Sequence, residues 1–310
     1  MPTPVIPLRS ISNLRGDDLE AVEAATTIGL DGLFIDLEEP RAPFPEPERE
    51  AVRRAVGEWL RGRRRGEGTR LFARVQSVSS GQMLRDLEAI AAPALEGVLV
   101  PKVDGATDIA AAVAVVAAVE DEHGLPNGSI LIYPILETAE SLRRAYEIVH
   151  ASSRVAYMGG AVSRFGDLVQ AVGYRWTPGG SESFMFRSSV LLDCLAAGMP
   201  YPVTGGSGQD TYDLEGVRRW AEEGRALGYR GSQVRAVASH VAIVNEVFSP
   251  SIEEIATWRS VVDAVDGMAA GGDDSVWSSH SNRSEALLAQ SAVLGFARVG
   301  LAWAKALGMA

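Results

Sequence analysis

Residues 130–167 read ILIYPILETAESLRRAYEIVHASSRVAYMGGAVSRFGD. An apolar run, Ile130–Glu137, ends in a carboxylate, and a helix-patterned segment, Ala139–His150, follows it. A second apolar run, Val155–Gly159, leads into a loop that carries Asp167. Strand, helix, strand is the unit of a parallel sheet, because parallel neighbours need a crossover and a helix supplies it. Working outward, the unit recurs. Apolar runs at Val5–Ser10, Gly32–Asp36, Arg70–Gln76, Gly97–Pro101, Tyr201–Thr204 and Gln233–Ala238 bring the expected strands to eight. Helical patterns fall between them at Asp17–Ile28, Pro47–Arg61, Gly81–Ala91, Thr107–Glu122, Leu168–Val172 with Ser181–Ala197, and Asp213–Leu227. Near-continuous apolar strands are covered by helices on the sheet face. Eight units in about 250 residues favour closure into a barrel over an open doubly wound sheet. The expected fold is α/β, a (β/α)8 TIM barrel over residues 1–248 with a C-terminal helical extension over residues 249–310.

No Gly-x-Gly-x-x-Gly follows the first run. The nearest segment, Arg15-Gly16-Asp17-Asp18, has one glycine and two acids that would repel a dinucleotide pyrophosphate. Gly159-Gly160 and Gly179-Gly180 read as turns. In the extension, Ser251 with Glu254 three residues later forms a capping box that opens a helix at Ile252. A polar stretch, Gly267–Arg283, reads as a loop. The last segment, Ser284–Leu307, places Leu287, Leu294, Ala297, Leu301 and Ala304 at helical spacing, with Leu288 beside them and Ser291 interrupting. An apolar helix beyond a completed barrel points to a subunit interface.

The chain has 310 residues, 46% hydrophobic and 22% charged, enough for a large core. A net charge of −11 argues against non-specific nucleic-acid binding, which needs a basic face. The one basic cluster, Arg61-Gly62-Arg63-Arg64-Arg65, closes a helix and complements its dipole; a local basic funnel made with Arg41 is the alternative. The single cysteine, Cys194, excludes an internal disulfide and reads as a buried, inert thiol. MPTPVIPLRS lacks a charged segment followed by an apolar one, so no secretory signal is expected. Ile109–Val119, the longest apolar run, is too short to cross a bilayer. A cytoplasmic protein without membrane or nucleic-acid partners is expected.

In a barrel, side chains at the downstream strand ends converge on the active site. Here those positions hold Asp36 and Glu38, Arg74, Lys102, Glu137, and Gly166 with Asp167. Carboxylates and an arginine without a histidine or cysteine cage suit a hard, oxygen-preferring cation such as Mg²⁺, with Mn²⁺ as a substitute. A chelating 2-oxo acid or an enolate would fill the open positions of such a site. Equally, the acids can pair with Lys102 and Arg74 as an internal salt-bridge network, and spacing alone does not choose.

Six segments add to this. Phe34–Pro40 (FIDLEEP), Arg74–Ser77 (RVQS), Gly97–Val103 (GVLVPKV), Pro134–Ile148 (PILETAESLRRAYEI), Arg164–Gly173 (RFGDLVQAVG) and Asn245–Ile255 (NEVFSPSIEEI) occur in this order. They resemble the citrate lyase β-subunit-like branch of the HpcH/HpaI aldolase family, over roughly residues 6–265. The resemblance implies a TIM barrel, trimers or hexamers, and Mg²⁺-dependent cleavage or formation of a carbon–carbon bond. The substrates it implies are 3-hydroxyacyl thioesters such as citryl, malyl or citramalyl groups. By this resemblance Glu137 and Asp167 are metal ligands and Arg74 binds substrate and enolate, with Lys102 and Gly166 beside the substrate. Asp36 and Glu38 then support the metal and the arginine from behind. Several positions depart from the family pattern. Glu39 and Gln76 stand where it has Asp and Asn, the loop before Asp167 is altered, and the Pro202 region lacks an Asp. Ala236-Val237-Ala238 replaces Ile-His-Pro, and in the tail Asp273 or Asp274 would substitute for an acid reaching a neighbouring subunit.

The leading expectation is a Mg²⁺-dependent lyase acting on a 2-oxo acid or an acyl-CoA. A coenzyme A-independent pyruvate or oxaloacetate aldolase and a non-catalytic, ligand-binding subunit are the alternatives. Among other residues, His240 reads as a packing histidine near the eighth strand, and His123 and His150 as helix-end residues. Trp176 and Arg187 would shape a loop over the site, and Trp277 and His280 a lid.

Overall fold

The computed structural model describes residues 5–38, 45–159, 162, 164, 166–206, 208–269 and 283–310. They fall into two compact units, Met1–Phe248 and Ser249–Ala310.

The first unit is a seven-stranded sheet in the order β5-β4-β3-β2-β1-β7-β6, every pair parallel. In chain order its elements are β1 (Ser10–Arg15), α1 (Leu19–Ala25), β2 (Gly32–Asp36), α2 (Glu46–Arg61), β3 (Arg70–Arg74), a 3₁₀ turn (Val78–Ser80), α3 (Met83–Ile90), β4 (Leu95–Val100), α4 (Ala106–Glu122), β5 (Leu131–Pro134), α5 (Ala139–Arg143), α6 (Ala145–His150), α7 (Asp167–Val172), α8 (Phe184–Ala196), β6 (Val203–Thr204), α9 (Leu214–Leu227), β7 (Gly231–Gln233) and α10 (Ala238–Val247).

Strand side chains alternate between two cores, as the two-residue period requires. Leu33 and Ile35 of β2, Leu71 and Ala73 of β3, and Val98 and Val100 of β4 pack outward against the helices. Phe34, Phe72, Leu99 and Leu131 point to the other face, where they meet Leu8, Ile11 and Tyr157 in a second core. Aromatic contacts fill that inner core: Phe34 and Phe72 have ring centroids 4.9 Å apart, and Phe72 meets Tyr157 edge-on at 5.9 Å. Each fully buried side chain of this size contributes roughly 1.5–3 kcal/mol.

Three of the eight expected strands differ. The first begins at Ser10 rather than Val5, and residues 5–9 are not strand. Ser10, Ser12 and Asn13 hide its periodicity, but pairing with β2 on one side and β7 on the other holds it. The last ends at Gln233, and Ala238 already opens α10. The expected strand Val155–Gly159 forms a single bridge, Val155 to Ile132. Its backbone nevertheless bonds on both sides: Ala156 N–H donates to Ile132 O at 3.1 Å, and Val203 N–H donates to Met158 O at 3.3 Å. Gly159 permits the second approach, since a Cβ there would stand 1.3 Å from Val203 O.

In the second unit α11 (Ile252–Ala269) packs against α12 (Arg283–Ala306). The capping box forms as expected, with Ser251 N–H donating to Glu254 Oε2 at 2.7 Å and Glu254 N–H to Ser251 Oγ at 3.0 Å. The expected loop begins later than Gly267, because α11 runs on to Ala269. Ala297 and Ala304 are buried, and Phe296 and Val299 are exposed. Leu287, Leu288 and Ser291 carry side chains outside the description. Among the described residues no helix is long and apolar enough to cross a membrane.

Candidate active site

The inner face that carries Phe34 and Phe72 carries, two residues on, Asp36 and Arg74. The site is thus the downstream continuation of the inner core. A cavity of about 330 Å³ opens there, lined among others by Glu38, Arg74, Glu137, Gly166 and Asp167. The cavity unites acids from the ends of β2 and β5 and the start of α7, as expected from order alone.

Arg74 is the centre of the charge network. Its Nε donates to Asp36 Oδ1 at 2.8 Å, its Nη2 to Asp36 Oδ2, and its Nη1 lies 3.2 Å from Glu38 Oε2. Burial works against the charged guanidinium, but the bonds and charges of Asp36, followed by Glu38 and Glu137, outweigh it and raise its pKa. Asp36 is 4% exposed and does not line the cavity. It also accepts from Asn13 Nδ2 at 3.1 Å and from Glu38 N–H at 3.0 Å. Its place is behind Arg74, holding that fork; it does not face a substrate.

Glu38 bridges two cations, with Lys102 Nζ 3.4 Å from its Oε1. Glu38 raises the Lys102 pKa, against a smaller opposing effect of burial. Lys102 also has φ 54°, the one non-glycine residue with positive φ among the described residues. That turn aims its backbone N–H at Glu137 Oε2, 3.1 Å away. Glu137 is pushed up to about 7, first by burial and then by the charge of Glu38, with Asp167 adding; Lys102 N–H and Arg74 pull the other way. Asp167 is the first residue of α7 and is exposed. Its carboxylate therefore sits where a helix N-terminus favours negative charge. Most of the loop before it lies outside the described residues, as do Glu39, Arg41, Asp273, Asp274, Trp277 and His280.

Gln76, a departure from the family pattern, braces the site. Its Nε2 donates to Leu37 O and Glu38 O, each at 3.0 Å, which fixes the backbone that carries Glu38. Its own N–H donates to Asp86 Oδ2 at 2.6 Å. Asp86 is fully buried and paired with Arg53 Nε at 2.6 Å. Asn13, Tyr133 and Gln233 also line the cavity and were missed. The mistaken ends of the first and last strands concealed Asn13 and Gln233; alternation of Ile11, Asn13 and Arg15 was the available signal.

Other expectations meet a different fate. Arg65 bonds Leu95 O, Ser129 O and Glu96 at the upstream ends of β4 and β5, opposite the cavity. Arg63 stacks over Trp59 at 4.3 Å and pairs with Glu23. The basic run is therefore no funnel into the site. Cys194 is buried against Met158 O and its thiol is pushed up to about 12 by burial, then by Asp193. His240 is buried, 2.8 Å from Thr211 O, and His150 stacks on Tyr146. His123 caps the C-terminus of α4. Arg187 lies under Trp220 at 4.6 Å and bonds Gly180 O and Glu223, and Trp176 packs with Arg164. None of these lines the cavity. Among the described residues no group of three or more His, Cys, Asp or Glu side chains is arranged to hold a metal ion.

Comparison with known proteins now adds to the geometry. The profile of the HpcH/HpaI aldolase/citrate lyase family matches residues 9–236. The chain belongs to this family. A (3S)-malyl-CoA thioesterase of Cereibacter sphaeroides is 31% identical over 251 residues, 80% of each chain. Among solved structures, a citrate lyase from Burkholderia xenovorans LB400 superimposes with a TM-score of 0.74 at 18% identity, over 98% of this chain and 93% of that one. The Mycobacterium tuberculosis protein CitE, in complex with magnesium, acetoacetate and coenzyme A, gives 0.66 at 20% identity, over 97% and 98%. At such identities the two structures speak for the fold.

Proposed function

We propose that the protein is a divalent-cation-dependent carbon–carbon lyase acting through an enolate on a 2-oxo-acid-derived or 3-hydroxyacyl substrate. The observation that carries the reading is charge. Arg74 pairs with Asp36 and Glu38, and Lys102 with Glu38, whereas Glu137 and Asp167 make no ion pair among the described residues. Glu38, Glu137 and Asp167 share one cavity, and burial first, then the charges of Glu38 and Asp167, push Glu137 up to about 7.

The donor set fits Mg²⁺ or Mn²⁺, hard cations that accept one or two carboxylates and leave positions for substrate oxygens. Glu137 and Asp167 would hold the ion, with the Lys102 N–H orienting Glu137. A bound Mg²⁺ supplies Lewis acidity toward a chelating carbonyl and carboxylate. Arg74, locked by Asp36 and Glu38, keeps N–H bonds for a substrate carboxylate or an enolate oxygen, and its fixed fork needs no reorganisation as charge develops. Glu38 and Gln76 hold that geometry. No histidine lines the cavity among the described residues, and a carboxylate or water would take the proton.

The likeness to a (3S)-malyl-CoA thioesterase supports a second reading, thioester hydrolysis at the same site. Product analysis with malyl-CoA and Mg²⁺ separates the two. A lyase gives glyoxylate and acetyl-CoA with the thioester intact, whereas a thioesterase gives malate and a free thiol that a thiol reagent counts. Pyruvate C3 proton exchange, followed by NMR with added Mg²⁺, tests the coenzyme A-free and non-catalytic alternatives. Glu137→Ala should abolish turnover and Mg²⁺ binding; unchanged behaviour of that variant would remove the basis of the proposal. For the fold, we infer closure into a (β/α)8 barrel, with residues 155–159 as the remaining stave. Their bonds to β5 and β6 support it, and rapid hydrogen exchange at the amides of Ala156 and Val203 would refute it.

A further inference from the structure

Below the carboxylates the cavity wall is apolar, formed by Ile11, Phe34 and Leu99. Two polar side chains stand among them. Gln233 ends β7, and its register opposite Ile11 turns it to the inner face. Its backbone carbonyl accepts from Ser232 Oγ at 3.1 Å, but its side-chain amide has no hydrogen-bond partner among the described residues. Tyr133 of β5 stands edge-on to Phe34 at 5.6 Å and stacks on Tyr157 at 6.2 Å, so its ring is fixed. Its hydroxyl likewise has no partner among the described residues. Neither side chain takes part in the ion-pair network around Arg74.

We propose that Gln233, together with Tyr133, determines specificity by hydrogen-bonding a hydroxyl on the part of the substrate remote from its metal-chelating end. The inference rests on the enolate-lyase reading for which end of the substrate meets the carboxylates. A primary amide and a phenol offer both donor and acceptor capacity without charge. They match a neutral hydroxyl, whereas a second carboxylate would call for a cation that this wall lacks. A hydrocarbon tail would fill the same space and leave both groups buried and unpaired. Sites built around such groups reject the apolar isostere strongly.

The test uses two α-hydroxy acids that chelate a cation but, having no C2 carbonyl, form no enolate: 2,4-dihydroxybutyrate and its methyl isostere 2-hydroxypentanoate. Calorimetry with Mg²⁺ present should show the wild-type protein preferring the dihydroxy acid by about tenfold or more. In Gln233→Met, which keeps side-chain length, the ratio should collapse to about threefold or less, with Tyr133→Phe intermediate. Equal wild-type affinities, binding of neither acid at millimolar concentration, or an undiminished ratio in both variants would overturn the proposal. The wild-type comparison depends on no variant folding. Pyruvate C3 exchange in the same preparation keeps the two hypotheses apart. Exchange without the preference defeats the hydroxyl-reading site alone, and the preference without exchange defeats the enolate reading alone.

Discussion

Arg74→Met is the perturbation that separates what the Arg74–Asp36 pair does for the fold from what it does for chemistry. The Asp36 side chain is 5% exposed and that of Arg74 is 16% exposed, so the pair is far from the exposed class worth well under 1 kcal/mol. Removing one partner of a buried pair leaves an uncompensated charge, at about 3–5 kcal/mol. Asp36 would keep two donors, Asn13 Nδ2 at 3.1 Å and Glu38 N–H at 3.0 Å. They place the expected loss at the low end of the range, about 3 kcal/mol. Asp36→Asn added to Arg74→Met removes the stranded charge and should recover about half or more of that loss. Urea unfolding followed by circular dichroism, with the denaturant dependence held equal between proteins, measures both. Pyruvate C3 exchange should be absent from the single and the double variant, because neither presents a guanidinium to the cavity. A single-variant loss below about 1 kcal/mol, or a double variant as unstable as the two singles added, would refute the buried-pair argument.

Two further outcomes follow from neighbouring contacts. Gln76→Ala removes both hydrogen bonds to the Leu37 and Glu38 carbonyls, and should cost about 1–3 kcal/mol while lowering kcat/KM through Glu38, with Gln76→Glu unable to restore it. The Glu120 carboxyl is buried, yet bonds from Arg154 and the Ile130 and Gly128 amides outweigh burial and hold it below its ordinary value of 4.5. A depressed folded pKa means its contribution is full above about pH 4.5 and is lost as pH falls through the folded value. Stability of the wild type should therefore drop more steeply below pH 4.5 than that of Glu120→Gln, and parallel curves in acid would contradict the linkage.

The parts of the fold legible in the sequence are those where a near-continuous apolar run marks a strand buried on both faces. Gly32–Asp36 and the cores of β3, β4 and β5 are of this kind. Ser10–Arg15 was illegible because its hydrogen bonds, not its side chains, make it a strand: it is paired on both edges, and that environment overrides weak β propensity. Gln233–Ala238 looked like a strand because Val234, Ala236, Val237 and Ala238 are apolar, although three of those residues lie in the turn and one begins α10. Those two errors hid Asn13 and Gln233. By contrast Glu38, Arg74 and Glu137 lie in or just after runs that do form strands, and the cavity brings these three together with Asp167. What no pattern could reveal was direction: the alternative of a basic funnel at Arg61–Arg65 falls only when Arg65 is seen at the upstream ends of the strands.

Lys102 joins these levels of argument. β4 ends at Val100, and the chain leaves the sheet there. A non-glycine residue in the left-handed region costs roughly 1–2 kcal/mol, so the backbone at φ 54° is held there by its surroundings. What it gains is an N–H bond to Glu137, and in the same residue an ammonium beside Glu38. Those contacts do not bring Glu137 back to its ordinary value: burial first, then the charges of Glu38 and Asp167, still push it up to about 7. The fold therefore maintains, at the downstream rim, a left-handed non-glycine residue and a set of neighbouring like charges. A divalent cation held by Glu137 and Asp167 would relieve the repulsion between them. Under the proposed function, that makes cation binding stabilise the rim as well as supply the chemistry. Mg²⁺ should consequently raise the thermal midpoint of the wild type and leave that of Glu137→Ala unmoved.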